Sequence, residues 1–176
     1  PDFVWIKNRS SALNHHILDS VRGAQNVICS NTTDAQFSSS GSLTSFNANG
    51  FTVGSNSNVN GNGNSIVGWC WKAGGAASSN TDGSITSLVS ANNSYGFSIA
   101  KYTGTGANAT FGHGLTGQTP KFIIVKKLTA ASWNVYHSEI GATKTLELNS
   151  TGSQATTQSW GDTAPTSSVV TVGNYP

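Results

Sequence analysis

Pro1-Asp-Phe-Val-Trp-Ile-Lys7 and Pro120-Lys-Phe-Ile-Ile-Val-Lys126 are two versions of one phrase. In each, a short apolar run follows a proline, which lacks a backbone donor and blocks helix; such a run fits a strand buried on both faces. The echo continues downstream. Gly23-Ala24 answers Gly141-Ala142, Asn31-Thr32-Thr33 answers Asn149-Ser150-Thr151, and Thr52-Val53-Gly54 answers Thr171-Val172-Gly173. The offsets are 120 − 1 = 119, 141 − 23 = 118, 149 − 31 = 118 and 173 − 54 = 119, so one small indel reconciles them. A period this long predicts a duplicated, domain-sized unit and not a solenoid repeat.

Further short apolar runs predict strands at Val27–Cys29, Phe51–Val53, Ile66–Trp71, Phe97–Tyr102, Asn134–Tyr136, Thr145–Leu148 and Val169–Val172. Gly, Asn, Ser and Asp separate them, residues that tolerate positive φ or form Asx turns. Many short strands with frequent turns predict an all-β chain of two similar β-sandwich units, of jelly-roll or lectin-like type. Residues 12–22 fit a helical turn or a strand and loop equally well. The low-complexity stretch Ser55–Asn64 reads as a hairpin loop. The Ala- and Ser-rich stretch Ala73–Ser90 reads as the connection between units. The expected organisation is a first unit over 1–75, a linker over 76–94 and a second unit over 95–176. The first should lack its opening strand and the second its closing strand, leaving sheet edges for other strands to cover.

Charged residues are 9% of the chain, against ~25% in an ordinary globular domain. Net charge is only +2, which does not imply nucleic acid or an anionic membrane as partner. Low charge can mean disorder, but 5 Trp, 7 Phe and 4 Tyr supply the apolar area for a packed core. No apolar run approaches the ~20 residues that span a bilayer, and no signal peptide is visible. The chain contains no Met, so a processed protein or a section of a longer one is expected. Cys29 and Cys70 allow at most one disulfide, show no zinc or redox spacing, and read as two small buried hydrophobes.

The strings Phe3-Val-Trp-Ile-Lys-Asn-Arg-Ser10, Asn49-Gly-Phe-Thr-Val-Gly54 and Val67-Gly-Trp-Cys-Trp-Lys-Ala-Gly74, with Tyr102-Thr-Gly-Thr-Gly106, Trp133-Asn-Val-Tyr-His137 and Trp160-Gly-Asp-Thr-Ala-Pro-Thr-Ser167, span most of the chain. They resemble a repeated domain of unassigned function in large virion proteins of tailed bacteriophages, often marine. Those proteins are of tail-fibre, structural or lectin-like type. The resemblance implies a virion or extracellular location and other virion proteins as partners; it carries no information about chemistry.

His15-His16 is the most tempting metal cue, but neighbouring strand residues face opposite ways and would not share an ion. Asp34, Asp82 and Asp162 lie in oxygen-rich turns of the kind calcium favours, yet no Asp-x-Asp-x-Asp loop exists, so no cofactor or metal is expected. Asp19 and Arg22, with Lys7, read as a hydrogen-bonded network bracing the turn at Gly23. The scattered acidic residues offer no recurring pair for glycoside hydrolysis, and no nucleophile elbow is present, so no enzyme is expected. Asn8, Asn31, Asn92, Asn108 and Asn149 stand in Asn-x-Ser/Thr sequons and read as turn residues. Most tryptophans read as core. In Ile66–Trp71, alternation puts Trp69 and Trp71 on one face and Cys70 on the other. Trp133 and Trp160, flanked by Ser, Asn and Gly, read as exposed, and with Tyr136 they form the expected glycan-stacking set.

The expected function is a structural and adhesive module of a phage particle that binds host surface glycans, insensitive to salt because it carries little charge. It is expected to assemble with copies of itself, a trimer by analogy with fibres. The alternatives are a capsid decoration or head-fibre protein without a ligand and, from another class, a fragment of a polysaccharide depolymerase.

Overall fold

The computed structural model describes residues 1–174. The chain is all-β, with sandwich-like layering and one four-residue helical turn. The first half contains β1 (Phe3–Asn8), β2 (His16–Asp19), β3 (Asn26–Cys29), β4 (Phe37–Ser38), β5 (Leu43–Asn47), β6 (Gly50–Val53), α1 (Ser57–Asn60) and β7 (Ile66–Trp71). Then follow β8 (Ser78–Asn80), β9 (Ser87–Asn92), β10 (Phe97–Tyr102), β11 (Ala109–Gly112), β12 (Phe122–Lys126), β13 (Trp133–His137), β14 (Lys144–Glu147), β15 (Ala155–Thr156) and β16 (Val169–Val172).

Two large antiparallel sheets run in the orders β4-β3-β2-β1-β7 and β12-β13-β14-β15. Along β1 the burial alternates, as the pleat requires: Val4 and Ile6 are fully buried while Phe3 and Trp5 face the other way. The inner face of the first sheet (Val4, Ile6, Leu18, Val27, Cys29) packs under the β5–β6 hairpin and Val59 of α1. The inner face of the second (Ile123, Val125, Tyr136) packs under the β11–β16 pair and Trp160. A third cluster joins the halves: Ile17 and Ile28 on the outer face of the first sheet meet Trp133, Ile124 and Leu148. Across the same seam Gln36 N donates to Leu128 O at 2.8 Å and Ala131 N to Thr33 O at 2.8 Å.

The halves share local hydrogen bonds at the offset of the sequence echo. Ser20 N donates to Asp2 O, and Ser138 N to Lys121 O. Gly23 N donates to Asp19 O, and Gly141 N to His137 O, with φ of 98° and 76° at the two glycines. His15 N is capped by Asn31 Oδ1 at 2.9 Å and Trp133 N by Asn149 Oδ1 at 2.8 Å. Gly54 N donates to Ser42 O, and Gly173 N to Ser159 O. The large sheets differ in one respect: β1 is flanked on both sides, whereas β12 is outermost.

Several expectations are corrected. The stretch read as a linker over 76–94 contains β8 and β9, which form a sheet with β10; serine and alanine hide strands whose stability comes from the ladder. Ser55–Asn64 is not a hairpin loop, because β6 pairs back to β5 and β7 crosses to β1. It holds α1, whose first turn is capped by Asn56 Oδ1 accepting from Asn58 N at 2.9 Å. Of the two readings left open for residues 12–22, the structure has the strand and loop, as β2. Cys29 is buried in the first core, but Cys70 is exposed because β7 is an outermost strand; both thiols are free.

Candidate functional site

The three residues expected to stack on glycans are not available to a ligand. Trp133, Tyr136 and Trp160 are 3%, 4% and 2% exposed. Trp133 fills the seam between the halves, where its Nε1 donates to Cys29 O at 3.0 Å and Thr32 O at 3.1 Å. Tyr136 takes the core place that Leu18 holds in the first half (136 − 18 = 118). Trp160 follows Ser159 as Leu43 follows Ser42, and both fill their cores next to the equivalent Ser–Gly backbone bond. Tyr136 and Trp160 meet edge to face with centroids 5.7 Å apart. The polar residues before Trp160 do not mark exposure, because Ser159 and Thr157 are themselves buried and bonded to each other at 2.7 Å.

The exposed aromatic surface lies elsewhere. Antiparallel pairing sets Phe3 opposite Trp71 and Trp5 opposite Trp69, so four rings share the outer face of β1 and β7. Phe3 and Trp71 meet edge to face at 5.3 Å, and Trp5 and Trp69 at 6.0 Å. Phe97 of β10 extends the row, stacking on Trp71 at 6.1 Å with planes 20° apart and touching Phe3 at 5.8 Å. Trp5 is fixed by its Nε1 donating to Ser30 Oγ at 3.0 Å. Trp69 remains 47% exposed and Trp71 38%. On its other side Trp71 borders a recess of about 460 Å³ that Phe51, Cys70 and Lys72 also line. The result is a strip of aromatic faces and edges on a rigid sheet, suited to an apolar or CH-rich ligand surface.

Among the described residues no carboxylate pair faces this strip. Asp2 is buried and its Oδ2 accepts from Ala73 N at 2.8 Å, with Lys72 Nζ 3.8 Å away. Asp19 binds the Arg22 backbone N at 2.8 Å and its guanidinium, which also reaches Asn26 O, Gln36 Oε1 and Ile17 O, so the pair braces the turn at Gly23. Lys7 stands apart from that network and donates to Ser11 O and Leu13 O.

His16 is 2% exposed with Nδ1 2.9 Å from Ser42 Oγ, while His15 faces partly outward, so the pair does not converge. Burial pushes the His16 pKa down to about 4. Among the described residues no group of three His, Cys, Asp or Glu is placed to hold a metal ion. All five sequon asparagines point their side-chain oxygen at a backbone N–H: Asn8 at Ser10 and Ser11, Asn31 at His15, Asn92 at Tyr95, Asn108 at Asn174 and Asn149 at Trp133.

The strip was half legible. The sequence placed Trp69 and Trp71 on one face of β7, but their pairing with Trp5 and Phe3 joins residues more than 60 apart in the chain (69 − 5 = 64, 71 − 3 = 68). A family defined as a domain of unknown function, DUF7483, matches residues 1–176. No curated protein and no solved structure matches the chain.

Proposed function

The chain belongs to the DUF7483 family of domains of unknown function, and from that premise we propose a non-enzymatic structural and adhesive module of a bacteriophage particle that binds host surface glycans. The observation that carries this reading is the solvent-facing strip of Trp69 and Trp71, held open by Trp5, Phe3 and Phe97. Flat aromatic faces bind the apolar side of a sugar ring, and the uncharged Ser, Thr and Asn loops supply hydrogen-bonding groups around it. The resemblance of the sequence strings to virion proteins supports a tail-fibre or appendage location, with copies of the chain, as a trimer, and other virion proteins as partners. The hydrogen bonds shared between the halves support an internal duplication.

A glycan array tests the reading. Binding should survive high salt, since little charge is involved. Trp69→Ala and Trp71→Ala should each lower affinity by about tenfold, one stacking contact each. Salt-independent hits that are unaffected by both substitutions would place the glycan elsewhere, and an absence of hits would remove the adhesive reading. The alternative is a capsid decoration or head-fibre protein that acts by assembly alone. Stable attachment to capsids without a glycan hit distinguishes it. Release of reducing ends from host polysaccharide would instead mark a depolymerase fragment.

A further inference from the structure

A second recess, of about 300 Å³, opens where β8, β9 and the loop after β11 meet. Its volume is at the lower end of the range for small-ligand sites. Hydroxyl, amide and carboxylate groups of Ser78, Ser79, Asn80, Asp82, Ser90 and Thr116 line it. Among the described residues no basic or aromatic side chain does. None of the rings of the Trp69–Trp71 strip takes part, so the two places are separate.

The fold fixes these polar groups in place. Asn80 Oδ1 accepts from Asp82 N at 3.0 Å, and Asn80 Nδ2 donates to Asp82 Oδ2 at 3.0 Å. The Asn80 amide packs against Gly112, where a Cβ would collide with it. The residues after Asp82 are tied to β11. Ser84 N donates to Thr110 Oγ1 and Thr110 N to Ser84 Oγ, both at 2.9 Å, and Ile85 N donates to Thr110 O at 2.9 Å. The buried Ser90 Oγ accepts from Gly74 N at 3.0 Å and donates to Gly75 O at 2.8 Å, which holds the chain entering β8 against β9. Asp82 is exposed, and among the described residues its Oδ1 has no hydrogen-bond or ion-pair partner. A free carboxylate oxygen on such a frame is a strong acceptor for a neutral O–H donor.

We propose that this recess binds one neutral sugar ring, with a ring hydroxyl donating to Asp82 Oδ1 and its neighbours bonding the serine and threonine hydroxyls. Each sugar hydroxyl both donates and accepts, and the lining offers partners of both kinds. Uronic and sialic acids are excluded, because their own carboxylate would meet that of Asp82 with no basic group to pair it. Without an aromatic platform, recognition depends on hydroxyl placement and not on stacking. The proposal rests on the reading of the chain as a glycan binder but uses none of the residues of the aromatic strip, so the two sites fail separately.

The test titrates the ¹⁵N-labelled chain with the methyl glycosides of glucose, galactose, mannose and N-acetylglucosamine. Glucuronic acid is the anionic control and calcium chloride alone the cation control. The expected result is saturable amide shifts on Ser78–Asp82, Ser90 and Thr116 with a neutral glycoside and none with glucuronic acid. Asp82→Asn should weaken that binding about tenfold or more, through loss of a charged acceptor. Ala76→Phe, which fills the recess from its exposed rim, should abolish it, while Trp69→Ala leaves it unchanged. No shift at these amides with any of the glycosides would overturn the site; array hits that depend on Trp69 and Trp71 would then leave the adhesive reading standing without it. Equal shifts with glucuronic acid, or undiminished binding by the Asp82→Asn chain, would also overturn it. So would saturable shifts with calcium alone, since the recess would then be a cation site.

Discussion

His16 illustrates how one buried side chain sets a solution property. It sits on β2 between the Phe37 ring, 6.0 Å away, and Ser42 Oγ. Desolvation is the cause of its shift from 6.5 to about 4, so the fold holds it neutral while the unfolded chain takes up a proton near 6.5. Its contribution is therefore complete above pH 6.5 and is lost as pH falls towards 4. His113, lowered chiefly by burial, acts in the same direction. Urea denaturation should show stability falling by on the order of 2 kcal/mol across that window, allowing for partial solvent screening. His16→Gln should flatten the slope; an unchanged slope would remove this account. At the same scale, Trp133 and Trp160 show why polar flanks are a poor guide to exposure. Trp133 Nε1 has two carbonyl acceptors in the seam, whereas Trp160 Nε1 finds none among the described residues.

At the scale of elements, the turn that brings β6 back over the first sheet depends on a glycine. A Cβ on Gly54 would lie 2.6 Å from Gly41 O, a backbone atom that cannot swing away. Gly173 makes the corresponding approach to Gln158 O. Gly54→Ala should cost about 1–3 kcal/mol by overpacking, measured from the urea midpoint at unchanged m-value. Gly50→Ala in the same strand meets nothing within 4 Å and should stay within about 0.5 kcal/mol. Equal effects would remove the steric argument. The repeated Thr-Val-Gly string marked both positions in the sequence, but not which backbone each glycine approaches. Strands β5, β8, β9 and β11 were missed for a related reason: runs such as Leu43-Thr-Ser-Phe-Asn47 and Ser87-Leu-Val-Ser-Ala-Asn92 carry too few apolar residues to declare themselves, and their pairing is tertiary.

For the molecule as a whole, the seam decides whether the halves behave as one body. Ile17 and Ile28 share one buried cluster with Trp133, flanked by Ile124 and Leu148, and two backbone hydrogen bonds close the same seam. Calorimetry should therefore give a single transition with equal calorimetric and van't Hoff enthalpies. Trp133→Ala should cost about 3–5 kcal/mol and separate the melting of the halves. Two transitions in the unaltered chain would show that the seam is too weak to couple them.

The sequence by itself determined the all-β class, the strands that bear the echo and the same-face placement of Trp69 and Trp71. These follow from local chemistry: side-chain alternation, turn propensity and blocked helix act over a few residues. Only the tertiary structure decided which tryptophans meet solvent. Burial depends on what a neighbouring sheet covers, so Trp133 vanished into the seam while Trp69 and Trp71 stayed open on an outermost strand.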